Sequence, residues 1–221
     1  MLKRFFPLVA ASVVLTGVLS AQTAGLAGRM EGDTYVSATG EFKLASLVLP
    51  ELGGKITDTP NVVTFSDSFN THVSIACFPQ DPSQKWEQDT RGLRDYLLYF
   101  FTDFVLADFQ KRFPGSSIES ARFLTELQGG ALIAFALLPG GSLFEPKSAL
   151  GDAAITAPVK AKRGTMVFVR NRHIYVLSIE LAERVTQRST YALTKEQEDS
   201  SLSERLVNLA ERLVFTKPRT P

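Results

Sequence analysis

YLLYFFTDFVLADF, residues Tyr96 to Phe109, decides how this chain folds. Six of its fourteen residues are aromatic, and it carries two acids, Asp103 and Asp108. At about 100° per residue, Leu93, Leu97, Phe100, Phe101 and Phe104 share one side of a helix. Leu98, Val105, Phe109 and Phe113 drift to a second side, and Tyr99 and Leu106 lie opposite the first group. Apolar side chains therefore run nearly all the way round, the pattern of a helix covered on most faces.

A membrane span is excluded for this segment. Its longest uninterrupted apolar run, Tyr96 to Phe101, is six residues. Asp95, Asp103 and Asp108 would each cost about 2.5 kcal/mol or more at a bilayer centre. Interfacial binding wants a polar face rich in Lys and Arg, and Lys111 and Arg112 come too late. Two readings remain open. Either protein covers the helix on both sides, or its outer face, with Tyr99 and Leu106, meets another chain.

Around this helix the chain reads as hairpins. Tyr35 to Ser37 and Glu41 to Ala45 flank Ala38-Thr39-Gly40, and Val62 to Ser66 and Thr71 to Phe78 flank Asp67-Ser68-Phe69-Asn70. The helix, about Arg91 to Phe113, stops at Pro114-Gly115, because proline cannot continue a helix and glycine suits the turn after one. Ser117 to Leu127 and Ala131 to Leu138 flank Gln128-Gly129-Gly130, a strong hairpin signal. After a long Gly- and Pro-containing loop, Pro139 to Arg163, a fourth hairpin turns at Asn171-Arg172. Leu202, Leu206, Leu209 and Leu213 then form one stripe of a final helix. Ser201 with Glu204, or Thr194 with Gln197 for an earlier start, offers a capping box. The expected fold is α+β: an antiparallel sheet of about six to eight strands packed with a long central helix and a C-terminal helix, an α/β/α sandwich.

The N-terminus has a different character. Lys3 and Arg4 precede an apolar run from Phe5 to Leu19, then the small residues Ser20, Ala21 and Ala24. That is the order of a secretory signal peptide, and residues 1–21 are read as one. Residues 22–33 are expected to be flexible, 34–216 to form one domain, and 217–221 a tail. The expected location is exported, periplasmic or secreted; an uncleaved signal would tether the chain to the inner membrane instead. Removing Lys3 and Arg4 leaves 22 basic residues against 23 acidic ones, a net charge of −1. A near-neutral protein is not steered to nucleic acid or to an acidic bilayer. Lys160, Lys162 and Arg163, the one compact basic cluster, read as a solvated loop. The lone Cys77 leaves no internal disulfide and reads as a buried small hydrophobe.

No catalytic set is written in the chain. His72 and His173 are its two histidines, the first opening a strand and the second following a turn, and neither carries a motif. Ser142 in PGGSLF lacks the strand-turn-helix context of a nucleophile elbow. Metal-ligand spacing and phosphate-binding glycine motifs are missing, so neither a metal nor a cofactor is called for. Glu126, Glu145 and Glu180 read as solvated carboxylates. A hydrolase would need a site that converges only in three dimensions. Better placed for binding are Phe69 at a hairpin tip, Trp86 in the polar QDPSQKWEQD, Phe144 in the long loop, and Tyr99 and Leu106 on the helix. These point to a protein partner or a homodimer.

The order of elements carries a resemblance. TYVSATGEFKL, NVVTFSDSFNTHVSIACF, a long helix, further hairpins and SLSERLVNLAERLVF succeed one another between Asp33 and Phe215. This resembles the PsbP-like α/β/α sandwich proteins, in element order more than in residues. The resemblance implies an accessory or binding role, often at a larger assembly, without catalysis. The aromatic helix and the Pro139 to Arg163 loop depart from that pattern, so no site residue is carried over.

Overall fold

Four predicted hairpins form, and further strands join them to make two sheets. The computed structural model describes residues 25–144, 160–187 and 190–216. The expected signal peptide, residues 145–159 of the long loop (with Glu145) and the expected tail lie outside the described residues. Strands β1 (Arg29–Glu31), β2 (Thr34–Val36) and β3 (Phe42–Ala45) open the chain. Strands β4 (Lys55–Asp58), β5 (Val62–Ser66) and β6 (His72–Pro79) follow, then helices α1 (Pro82–Arg91), α2 (Leu93–Phe100) and α3 (Ala107–Arg112). Strands β7 (Ser117–Leu124), β8 (Ala131–Pro139), β9 (Lys160–Arg170) and β10 (His173–Glu180) precede α4 (Glu183–Thr186), α5 (Lys195–Arg212) and β11 (Val214–Phe215). The larger, seven-stranded sheet has the order β4-β5-β6-β10-β9-β8-β7, and the smaller, four-stranded one β1-β2-β3-β11. All their pairings are antiparallel.

The layering is the expected α/β/α sandwich, with the small sheet added. One face of the large sheet buries Ile75, Ile133, Met166, Phe168 and Leu177 against Leu202, Leu206 and Leu209 of α5 and Tyr35, Phe42 and Leu44 of the small sheet. The other face buries Leu132, Ala134, Val167, Ile174 and Val176 against Tyr96, Leu97, Phe100 and Phe101. Covered on both sides, β8 and β10 are apolar almost throughout, while the edge strand β4 alternates. Gly164 lets α5 approach: a Cβ there would sit 3.1 Å from the Leu202 Cβ. Among the described residues no helix is long and apolar enough to cross a membrane.

Several local expectations are corrected. Residues 25–33 are not loose: the Asp58 carboxylate accepts the amides of Ala27 and Gly28 and the Tyr35 hydroxyl at 2.7–2.8 Å, and this anchors β1. Helix begins earlier than Arg91, at Pro82, because Asp81 caps it by accepting the Gln84 amide. Gly92, at φ 77°, then breaks α1 from α2. Of the two possible starts for α5, the Thr194–Gln197 capping box is the one used.

The largest correction concerns register in the aromatic helix. Residues Phe101–Leu106 form a π-helical turn between α2 and α3. Such a turn holds one extra residue and rotates everything after it by about a quarter turn relative to an α-helix. Phe104, expected on the core side, is 46% exposed, whereas Phe109 is buried. Leu106, expected to face outward, is buried against the sheet for the same reason.

Charged residues are also corrected. Lys162 is not a loop residue: it lies on β9 beneath α5, fully buried, with its Nζ 2.5 Å from Glu119, 2.9 Å from Glu198 and 2.6 Å from Asp199. A bulge between Ile118 and Ser120 makes this possible, since it turns both Glu119 and Ser120 toward α5. Arg184 pairs with Glu198 and Lys195 with Asp199, so three cations meet three carboxylates. Burial alone would raise Glu198 and Asp199, but hydrogen bonds from Lys162 hold both below the usual carboxylate range.

Lys162→Met would strand the carboxylates without their shared cation. The expected loss is about 3 kcal/mol or more, read from urea denaturation; a neutral result would mean the cluster contributes nothing. Likewise, Phe104→Ala should cost about 1 kcal/mol or less and Phe109→Ala about 3 kcal/mol or more. The opposite ranking would contradict the π-helical register.

Candidate functional site

Helices α2 and α3 lean over β7 to β9, and beside them the same sheet face is left as a groove. Its cavity is about 430 Å³. The floor comes from alternate residues of two neighbouring strands: Ser74 pairs with Ser178, Ala76 with Val176 and Phe78 with Ile174. Small side chains at Ser74, Ala76 and Ser178 give the groove its depth. The wall is aromatic. Phe100 and Phe104 stack with centroids 5.0 Å apart at 27°, and Val105 and Phe109 continue it. Tyr99 supports Phe104 from behind, edge-on at 5.9 Å, with the Arg91 guanidinium 4.4 Å from the centre of the Tyr99 ring. The π-helical turn therefore builds this wall, because it releases Phe104 from the core.

Two carboxylates, Asp81 and Asp108, line the groove, and among the described residues no Lys, Arg or His does. Asp81 Oδ1 accepts the Gln84 amide at 2.8 Å and the Ser83 hydroxyl at 2.7 Å, which hold its carboxyl below the ordinary range. Asp108 pairs with Arg112 at 3.1 Å on the surface. Gln84, also in the lining, accepts the Tyr96 hydroxyl at 3.0 Å.

The residues singled out from sequence are scattered. Phe69 is 52% exposed, held outward by a turn in which Asp67 Oδ1 accepts the amides of Phe69, Asn70 and Thr71. Trp86 is 63% exposed on α1. Phe144 is not an exposed loop residue: it is buried against Ala182 and Val185, and edge-on to His72 at 6.4 Å. Tyr99 alone among them touches the groove's wall. The groove's other residues carry no sequence signal, since Ser74 and Ser178 look unremarkable until β6 and β10 are known to be neighbours.

Outside the groove and the Lys162 cluster, the two histidines do not meet. His173 pairs across from Pro79, and His72 lies beyond the Val73–Ile179 pair, so the histidines stand at opposite ends of β6 and β10. His173 Nδ1 is 2.9 Å from the Asn171 carbonyl oxygen. Glu180, expected in solvent, is fully buried: it accepts the Ser142 hydroxyl at 2.6 Å and faces Arg163 at 3.6 Å. It is buried because β10 is an interior strand whose end is roofed by the Ser142–Phe144 segment. Burial raises the Cys77 thiol to about 11, in keeping with a small core residue.

No family model matches the chain, and no curated protein matches it. Among solved structures it is similar to the Ran-binding protein Mog1p of Saccharomyces cerevisiae. The identity is 12%, covering 84% of this chain and 96% of that one, with a TM-score of 0.46. At that TM-score the likeness carries no argument about what this chain binds.

Burial, joined by the charge of Arg163, pushes the His72 imidazole down from 6.5 to about 4. The unfolded chain then takes up the proton first, so the His72 contribution to stability should fall as pH drops from 6.5 toward 4 and level off below, where the carboxylates held low, Glu198 and Asp199 among them, begin to lose theirs. Urea midpoints across that window should show a slope that His72→Gln flattens. An equal slope in both proteins would rule out His72 as its source.

Proposed function

We propose that this chain is an exported binding domain that meets another protein through the groove between the aromatic helix and strands β6 and β10, without transforming a substrate. The observation that carries this reading is the groove itself. A ring pair is held at its wall, one ring with an exposed face, above a floor of small side chains. Concave apolar surfaces with a few placed polar groups are where proteins hold ligands and partner side chains. Exposed aromatic rings on a rigid support make efficient anchors, because little conformational freedom is lost on binding. Phe69 and Trp86 offer further exposed contacts elsewhere on the surface. The N-terminal order of basic, apolar and small residues supports export, and the element order supports an accessory role of the PsbP-like kind.

The test uses the chain exported from its native cell. N-terminal sequencing should find a start after Ser20 or Ala21; an intact Met1 would favour a tethered assembly factor. The exported chain and its Ser74→Trp variant, which fills the groove floor, are then used as baits on native envelope extract. A protein captured by the first and by a Val214→Ser control, yet lost with Ser74→Trp, is the expected result. Identical capture by all three baits would overturn the groove as the contact surface.

A further inference from the structure

We infer that the groove takes an amphipathic α-helix of a partner protein, one whose apolar stripe has a Lys or Arg at each end. This rests on the proposed binding role and specifies what is bound.

Backbone chemistry selects a helix. The floor strand β6 is already paired on both sides, to β5 and to β10. An extended segment laid there would find no free strand edge, and its own amides and carbonyls would face an apolar wall unpaired. A helix satisfies its backbone internally and presents side chains alone, the helix-in-groove mode of recognition. The dimensions agree. From Phe78 to Ser74 the floor runs four residues, roughly 13 Å of strand, which about nine residues of α-helix would span. Ser74, Ala76 and Ser178 let such a helix approach the sheet closely.

Charge selects the ends. Among the described residues the groove's lining has carboxylates and no cation. Asp81 follows β6 and lies beyond the Phe78 end of the floor. Asp108 lies past the π-helical turn on α3, whose neighbour Phe109 packs with Ala136, Leu138 and Ala161 at the opposite end of the sheet. Asp81 Oδ2 has no hydrogen-bond partner among the described residues. Asp108 has only the exposed Arg112, which can swing aside. A cation at either end would meet a carboxylate, and the exposed face of Phe104 offers it a ring as well.

Two synthetic probes test this on the full mature chain: a capped twelve-residue Leu/Ala helix with Lys flanking its apolar stripe, and the same peptide with Glu in those places. The Lys probe should bind, shift the amide resonances of Ser74, Ala76 and Val176, and gain helical circular dichroism. Asp81→Asn with Asp108→Asn should weaken it by about three- to tenfold, with the fold intact because Asn also caps α1. Equal affinity for the Glu probe would overturn the basic ends, and binding without helical signal would overturn the helix. Shifts confined to other surfaces, or none with either probe, would overturn the helical occupant. Capture by the Ser74→Trp bait decides the groove separately, so the two failures are distinguishable.

Discussion

The segment from Tyr96 to Phe109 carries more large apolar side chains than one α-helical stripe can lay on a sheet. The chain resolves this by adding a residue to one turn. Up to the first residue of the π-helical turn, Tyr96, Leu97, Phe100 and Phe101 face the sheet; from its last residue onward, Leu106 and Phe109 do. Without the shift, Phe104 would enter the core and Phe109 would leave it. The helix would also drift off the sheet before reaching Leu138 and Ala161. One local irregularity thus keeps one face of the helix on the sheet along its length and leaves Phe104 over as the surface ring of the groove.

A second irregularity does comparable work on the other face. The bulge at Glu119 brings two consecutive polar residues to one side of β7, where Lys162 waits under α5. Burying an ammonium is costly, and the cost is met only because three carboxylates converge on it. The arrangement fixes where the first turns of α5 sit against β7 and β9. Hydrophobic packing of Leu202, Leu206 and Leu209 alone would tolerate a sliding helix, whereas an ion cluster does not.

The two faces of the large sheet are consequently unlike. One is closed over by α5 and the small sheet. The other is closed over by α2 and α3 along β7 to β9 and opens as a groove over β10 and β6. The groove is the boundary between covered and uncovered sheet, and its polarity follows from which residues happen to flank that boundary. Its acids are the cap of α1 and a surface residue of α3, both positioned for structural reasons.

Hairpins were readable because turn chemistry is local: Asn171 and Arg172 take positive φ and Gly129-Gly130 follow suit, as their neighbours in sequence suggested. The α/β/α layering followed from the apolar stripe of α5 and from a mid-chain helix apolar on nearly every side. Short elements escaped, since three residues of β1 or two of β11 hold no period of their own and exist only by pairing. Lys162 and Glu180 were misread because charge normally means solvent, and only tertiary partners can make a buried charge tolerable. Tyr99 is legible through its helix as a neighbour of Phe104, whereas the groove floor leaves no mark in the sequence.

What the sequence determined by itself was local: which stretches turn, which repeat at the period of a helix or a strand, and that the aromatic helix belongs against protein and not lipid. Which rings are hidden and which are offered was settled by the tertiary structure. A one-residue change of helical register reverses inside and outside, and that choice is made by fit against a sheet whose strands lie up to a hundred or so positions away in the chain, as Ala76 and Val176 do.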